Sequence, residues 1–203
     1  MKTNTNNRTI RMVQLALFTA IIILMTFTPI GYIKTPGLEI TLIVVPVTVG
    51  AIVMGPMAGA ILGGVFGISS FIQCFGLSPF GAVLLSINPV GTFIVCMIPR
   101  ILMGWLTGLI FNAIKRVDKT KSVSYAVASL AGPLLNTAFF MSALVLFFYN
   151  SDYIQGFVTG LKVTNPFTFI IAFVGVNGLI EAGVCFILGT AISKTLDVIA
   201  KRS

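Results

Sequence analysis

The sequence predicts an all-α membrane protein, a bundle of six transmembrane helices with both termini in the cytoplasm. Three observations carry that class. Of the 203 residues, 57% are hydrophobic and only 9% charged, where soluble domains carry about 25% charged residues. The apolar stretches are too long and too many for one soluble core. Finally, the basic residues gather at the ends of those stretches, where they set orientation across a bilayer.

Taken in order, the spans are expected over residues 12–30, 40–54, 57–75, 90–114, 123–149 and 167–192, all within one integral membrane domain, 1–203. The second is short for a full crossing and contains Pro46. If residues 40–75 formed one broken element, the count would be five. The first apolar stretch is too long for a signal-peptide core and lacks an A-x-A-type cleavage site, so no cleaved leader is expected. Lys2, Arg8 and Arg11 precede the first span, Lys115, Arg116, Lys119 and Lys121 follow the fourth, and Lys194, Lys201 and Arg202 close the chain. Only Lys34 and Lys162 fall on the other side, with Arg100 inside a span. The excess of basic residues on one side places both termini in the cytoplasm, which requires an even number of crossings. Tyr32, Tyr149 and Tyr153 then fall at outer ends, as an interfacial aromatic belt requires.

Several chemistries are excluded. The net charge of +8 is explained by topology rather than by nucleic acid. The chain has no His, which removes imidazole catalysis and imidazole metal ligation. Cys74, Cys96 and Cys185 sit in separate apolar segments without metal-ligand spacing and read as small buried residues. No G-x-x-x-x-G-K-[ST] string is present, so ATP is not bound through a P-loop. Of the five acidic residues, Glu181 alone lies deep in a span, too few for a carboxylate metal cluster. Neither an enzyme nor a cofactor is expected.

What remains is a set of polar side chains inside the spans, led by Arg100 in VGTFIVCMIPRILMGWLTGLIF. A guanidinium keeps its charge at any depth, and ionisable groups inside a bilayer mark substrate or ion pathways by default. At about 1.5 Å of rise per residue, Arg100 and Asn177 lie roughly 15 Å below the outer surface, Asn136 roughly 20 Å, and Glu181 about 6 Å deeper than Asn177. Asn177 and Glu181, spaced i, i+4, share a helix face. Three helices thus bring polar groups to one layer, facing the bundle interior because hydrocarbon offers them no partner. Two readings stand: a ligand pocket, or a structural Arg100–Glu181 pair with the asparagines as interhelical glue.

The outer loops GYIKTPGLEI and GLSPFGAVLLSINP are rich in Gly and Pro, and the second is apolar enough to fold back over a cavity, with Gln73 and Asn88 near its ends. An interfacial connector is the alternative for that loop. Gly55, Gly59, Gly63 and Gly67 recur every four residues and form a ridge for close helix packing. Ala16 and Ala20 give an A-x-x-x-A in the first span, a weak signal alone.

With six spans, cytoplasmic termini, about two hundred residues, that A-x-x-x-A and no ATPase motif, the chain resembles the substrate-binding S components of energy-coupling factor transporters. The resemblance covers essentially the whole chain. It is most specific in TPIGYIKTPGLEITLIVVPVTVGAIVMGPMAGAILGGVFGISSF, and IPRILMGWLTGLIF resembles the pantothenate-type members. It implies partners: a membrane coupling subunit and two cytoplasmic ATPases, with Ala16 and Ala20 as the docking surface and the S component toppling in the membrane to carry its ligand inward. It also implies a vitamin held between the outer loops and spans four to six, where the depth argument places Arg100, Asn136, Asn177 and Glu181. A pantothenate carboxylate would suit Arg100, and its hydroxyls and amide would suit Asn136, Asn177 and Asn88. Riboflavin, a thiamin-precursor pyrimidine and cobalamin are the alternatives within the family. A stand-alone transporter coupling protons through Glu181 is the alternative outside it, though no inverted repeat is visible.

Overall fold

Long apolar segments in hydrocarbon satisfy their backbone polar groups internally, and the helix is the simplest way to do so. The computed structural model of the chain describes residues 2–29, 31–34, 39–118, 122–163 and 165–200, with the side chains of 2–7, 33–34, 39–40, 176–177 and 197–200 outside that description. Its elements run α1 Lys2–Thr26, β1 Tyr32–Lys34, β2 Glu39–Thr41, α2 Val44–Met54, α3 Pro56–Gln73, α4 Pro79–Ile87, α5 Pro89–Lys115, α6 Val123–Phe148, α7 Asp152–Gly160 and α8 Pro166–Ala200. Among the described residues, five segments are long and apolar enough to cross a membrane: Arg8–Thr26, Pro56–Gln73, Pro89–Lys115, Val123–Phe148 and Gly178–Leu196.

Three features depart from the sequence expectation. The fold is nearly, not purely, helical: β1 and β2 pair antiparallel with Tyr32 opposite Thr41. The β-branched and aromatic residues Tyr32, Ile33, Ile40 and Thr41 favour that ribbon. The apolar loop after α3 contains a helix, α4, started by Ser78 and Pro79. And α8 is broken at Gly175, whose backbone leaves helical geometry, at the residue type that holds a helix least well after proline.

Pro46 does not break α2. It stands in the first turn of that helix, where the missing amide hydrogen has no intrahelical partner to lose. What ends α2 is Gly55, at φ 96°, ψ 176°, a region essentially closed to residues with a Cβ. Pro56 then opens α3 at its first helical position, as proline favours.

The glycine ridge leaves no room for a Cβ between α3 and α5. A Cβ on Gly59 would run into the backbone oxygen of Gly104, one on Gly104 into that of Gly59, and one on Gly63 into that of Arg100. Helices α3 and α5 therefore meet backbone to backbone, the approach that small residues permit. With the backbone of Arg100 against α3, its side chain is directed along the α3–α6 side of the bundle. One apolar core joins α1, α2 and α3 around Phe18, Ile22, Val47, Leu62 and Phe66. A second joins α4 to α8 around Leu84, Val95, Met141, Phe148, Ile154 and Phe169.

Candidate functional site

Between these two cores lies a cavity of about 460 Å³, within the roughly 300–1,000 Å³ of small-molecule sites. Its walls come from α3, α5, α6 and α8, and its cover from the hairpin, α4 and α7. Tyr32 and Thr41 line it from the hairpin, Phe80 from α4, Tyr153 and Phe157 from α7.

Arg100 is buried in the cavity wall, 8% exposed. Its position follows from its neighbour. Pro99 lies inside α5 and, lacking an amide hydrogen, leaves the carbonyl four residues back without its helical partner. That carbonyl belongs to Val95, and Arg100 Nη1 donates to it at 2.5 Å. The guanidinium also lies over two rings, 5.4 Å from the centroid of Phe66 on α3 and 4.7 Å from that of Phe140 on α6. Cation–π contacts at such distances are worth roughly 2 kcal/mol when desolvated. One helical carbonyl and two rings thus hold the charge, while Nε is buried without a hydrogen-bond partner among the described residues.

Across the cavity, Asn136 Nδ2 donates to Glu181 Oε1 at 3.5 Å, so α6 and α8 are tied at the layer the helix rise predicts. The backbone amide of Thr41 faces the same carboxylate, which links the hairpin to the cavity floor. Asn136 Oδ1 is buried without a partner among the described residues. Among the described residues, no ion pair within 4.0 Å joins Arg100 to Glu181. Both line the cavity, and the direct pair of the structural reading is not formed.

The other expected residues fare differently. Gln73 lines the cavity, but its Nε2 donates to the Thr26 carbonyl at 2.6 Å. Thr26 ends α1, so the amide satisfies a carbonyl that a helix terminus leaves open. Asn88 is absent from the cavity wall. It is the N-cap of α5, its Oδ1 accepting from the Gly91 amide at 2.9 Å, the usual task of Asn before a helix. The backbone of Asn177 lies in α8, and its side chain is outside the described residues. Ala16 and Ala20 are both exposed on α1, away from the cavity.

The sequence pointed to a loop folded over a cavity but not to the aromatic residues of that cover. Phe80 and Tyr153 pack with ring centroids 5.9 Å apart, and Phe157 meets Phe173 of α8 at 5.2 Å. The signal was present in SDYIQGFVTG: Ser151 caps α7 by accepting from the Ile154 amide, a pattern readable in sequence. The polar and apolar requirements of a binding site are thus both met. Arg100, Asn136 and Glu181 supply a few placed polar groups, and aromatic rings supply the apolar surround.

A bundle with five membrane-length apolar helices and an internal cavity carrying a buried cation defines the class, a multi-pass membrane protein built to take up a small molecule. The family follows from comparison with known proteins. Residues 10–193 match the family described as ECF transporter, substrate-specific component, and the chain belongs to that family. It is 30% identical over 205 residues to the pantothenate transporter PanT of Leuconostoc mesenteroides subsp. mesenteroides, covering 98% of this chain and 97% of that one. It is 30% identical over 171 residues to the pantothenic acid transporter PanT of Lactococcus lactis subsp. cremoris, covering 77% of this chain and 76% of its relative.

Proposed function

We propose that this chain captures pantothenate from outside the cell and passes it inward through a membrane coupling subunit driven by two cytoplasmic ATPases. One observation carries the ligand: a buried guanidinium at a cavity wall, with no carboxylate among the described side chains paired to it, in a chain similar over 98% and 77% of its length to two pantothenate transporters. The carboxylate of the vitamin accepts charge-assisted hydrogen bonds from Arg100. Its hydroxyl and amide groups pair with Asn136 and Glu181, and Asn177 joins them from the same helix face. Its dimethyl-bearing segment packs against Phe80, Tyr153 and Phe157. Gln73 and Asn88 support the site as helix caps.

In this reading the bundle is one domain that crosses the membrane six times, with α2 completing the second crossing and both termini in the cytoplasm. The hairpin, α4 and α7 then form the outer cover, and Ala16 and Ala20 dock on the coupling subunit.

Equilibrium binding of labelled pantothenate to the purified protein tests the ligand. Saturable binding is expected, and Arg100→Ala should weaken it roughly 10–100-fold, the worth of a hydrogen bond to a charged group. No saturable binding, or unchanged affinity in the variant, removes the proposal. Uptake into liposomes by this chain alone, driven by a proton gradient without ATP, would replace it with a stand-alone transporter.

A further inference from the structure

Two thiols that are far apart in sequence meet at the cavity wall. Cys74 follows α3 and Cys96 lies in α5, 22 positions on, yet their sulfur atoms are 3.9 Å apart. Both residues are 5% exposed, and both line the cavity. Cys74 is also the seat of α4. A Cβ placed on Gly81 would lie 2.6 Å from Cys74 Sγ and 3.3 Å from its Cα and Cβ, so the first turn of α4 rests directly on that residue. The segment between the two cysteines contains the whole of α4 and the Asn88 cap that opens α5. Whatever fixes one sulfur to the other fixes both ends of the element that covers the cavity.

We propose that Cys74 and Cys96 are a reversible redox latch, whose disulfide holds α4 in place over the cavity. The oxidant is a small external disulfide entering through the cavity. The thiolate of one cysteine attacks it, forming a mixed disulfide and expelling one equivalent of thiol. The second cysteine, having lost its proton, attacks the protein sulfur of the mixed disulfide and releases a second equivalent. The cysteine pair is oxidised by two electrons, the external disulfide is reduced by two, and the two protons leave on the released thiols. A disulfide bond is about 2.05 Å long, so closure from 3.9 Å moves the sulfurs together by about 2 Å. Cys185 is a built-in control: it is buried against Thr48 Oγ1 at 3.9 Å and has no part in the cavity wall. The role of α4 as a cover rests on the cavity being the ligand site, whereas the thiol chemistry does not.

The full-length purified protein is treated with 2-hydroxyethyl disulfide, alkylated and peptide-mapped, while amide hydrogen exchange is followed over residues 79–87. A Cys74–Cys96 linked peptide, lighter by two hydrogen atoms, is expected, with Cys185 still alkylated and the link reversed by dithiothreitol. Exchange over 79–87 should slow at least tenfold on oxidation, and both effects should vanish in Cys74→Ser and in Cys96→Ser. Stable mixed disulfides without a link, or a link without change in exchange over 79–87, would overturn the latch. Pantothenate binding measured on the same samples separates the two readings. Protein that links and protects α4 when oxidised, yet binds no pantothenate after reduction by dithiothreitol, keeps the latch and refutes the ligand.

Discussion

Pro99 and Arg100 act as one unit. The proline opens a carbonyl on Val95 and the arginine closes it, so the guanidinium is oriented by backbone chemistry before any ligand arrives. Replacing Pro99 with Ala returns an amide hydrogen to compete for that carbonyl. Pantothenate affinity should then change by about threefold or more, the worth of one hydrogen bond, while the thermal midpoint does not fall. Calorimetric titration and a thermal unfolding scan of the variant check the two halves. Much at this scale was legible. Helix rise alone put Arg100, Asn136 and Glu181 into one layer, because depth along a helix needs only residue counts. The partner of each side chain was not legible. Gln73 and Asn88 carry the same amide as Asn136, and only the position of a helix end decides that they serve as caps. The direct Arg100–Glu181 pair failed for a related reason, since the Val95 carbonyl and two rings already stabilise the cation.

Among the elements, α3 and α5 meet backbone to backbone, with no side chains between Gly59 and Gly104 or between Gly63 and Arg100. Gly63→Leu would force a branched side chain against the backbone of Arg100, separating the helices and displacing the guanidinium. We expect this variant to lose its monodisperse peak in size-exclusion chromatography, whereas Gly64→Ala keeps it, because a Cβ there meets only the Ile101 side chain at ordinary contact distance. At the other end of α3, Gly55→Ala puts a Cβ on a backbone at φ 96° and should destabilise the protein by about 1–3 kcal/mol, read as a lowered thermal midpoint. The five long apolar segments were legible as elements because continuous apolar runs announce them, whereas the expected second span is the short helix α2. The hairpin, α4 and the break at Gly175 were not. Short elements in Gly- and Pro-rich loops are stabilised by what they cover, and a sequence pattern does not say what that is.

For the molecule as a whole, membership of the family places it in a larger machine, and binding and transport become separable. Ala16 and Ala20 are exposed on α1, and the cavity is lined by other elements. Ala16→Trp or Ala20→Trp should therefore abolish pantothenate uptake in cells that contain the coupling subunit and ATPases, while equilibrium binding by the purified variant stays within about twofold, the scatter expected of a distant, independent site. Equal loss of both would count against docking through α1.

The encasement of α2 has a consequence for how the protein is made. All but one of its eleven residues are buried, and at about 1.5 Å per residue it reaches little more than half of a hydrocarbon layer about 30 Å thick. Such a segment cannot insert by its own partitioning, and it has almost no surface to offer lipid. We expect it to enter with α3, as a hairpin turned at Gly55, and to find its solvent in protein rather than in acyl chains. Biogenesis intermediates truncated before α3 should leave α2 accessible to water-soluble thiol labels at an engineered Val47→Cys, and those extended through α5 should hide it.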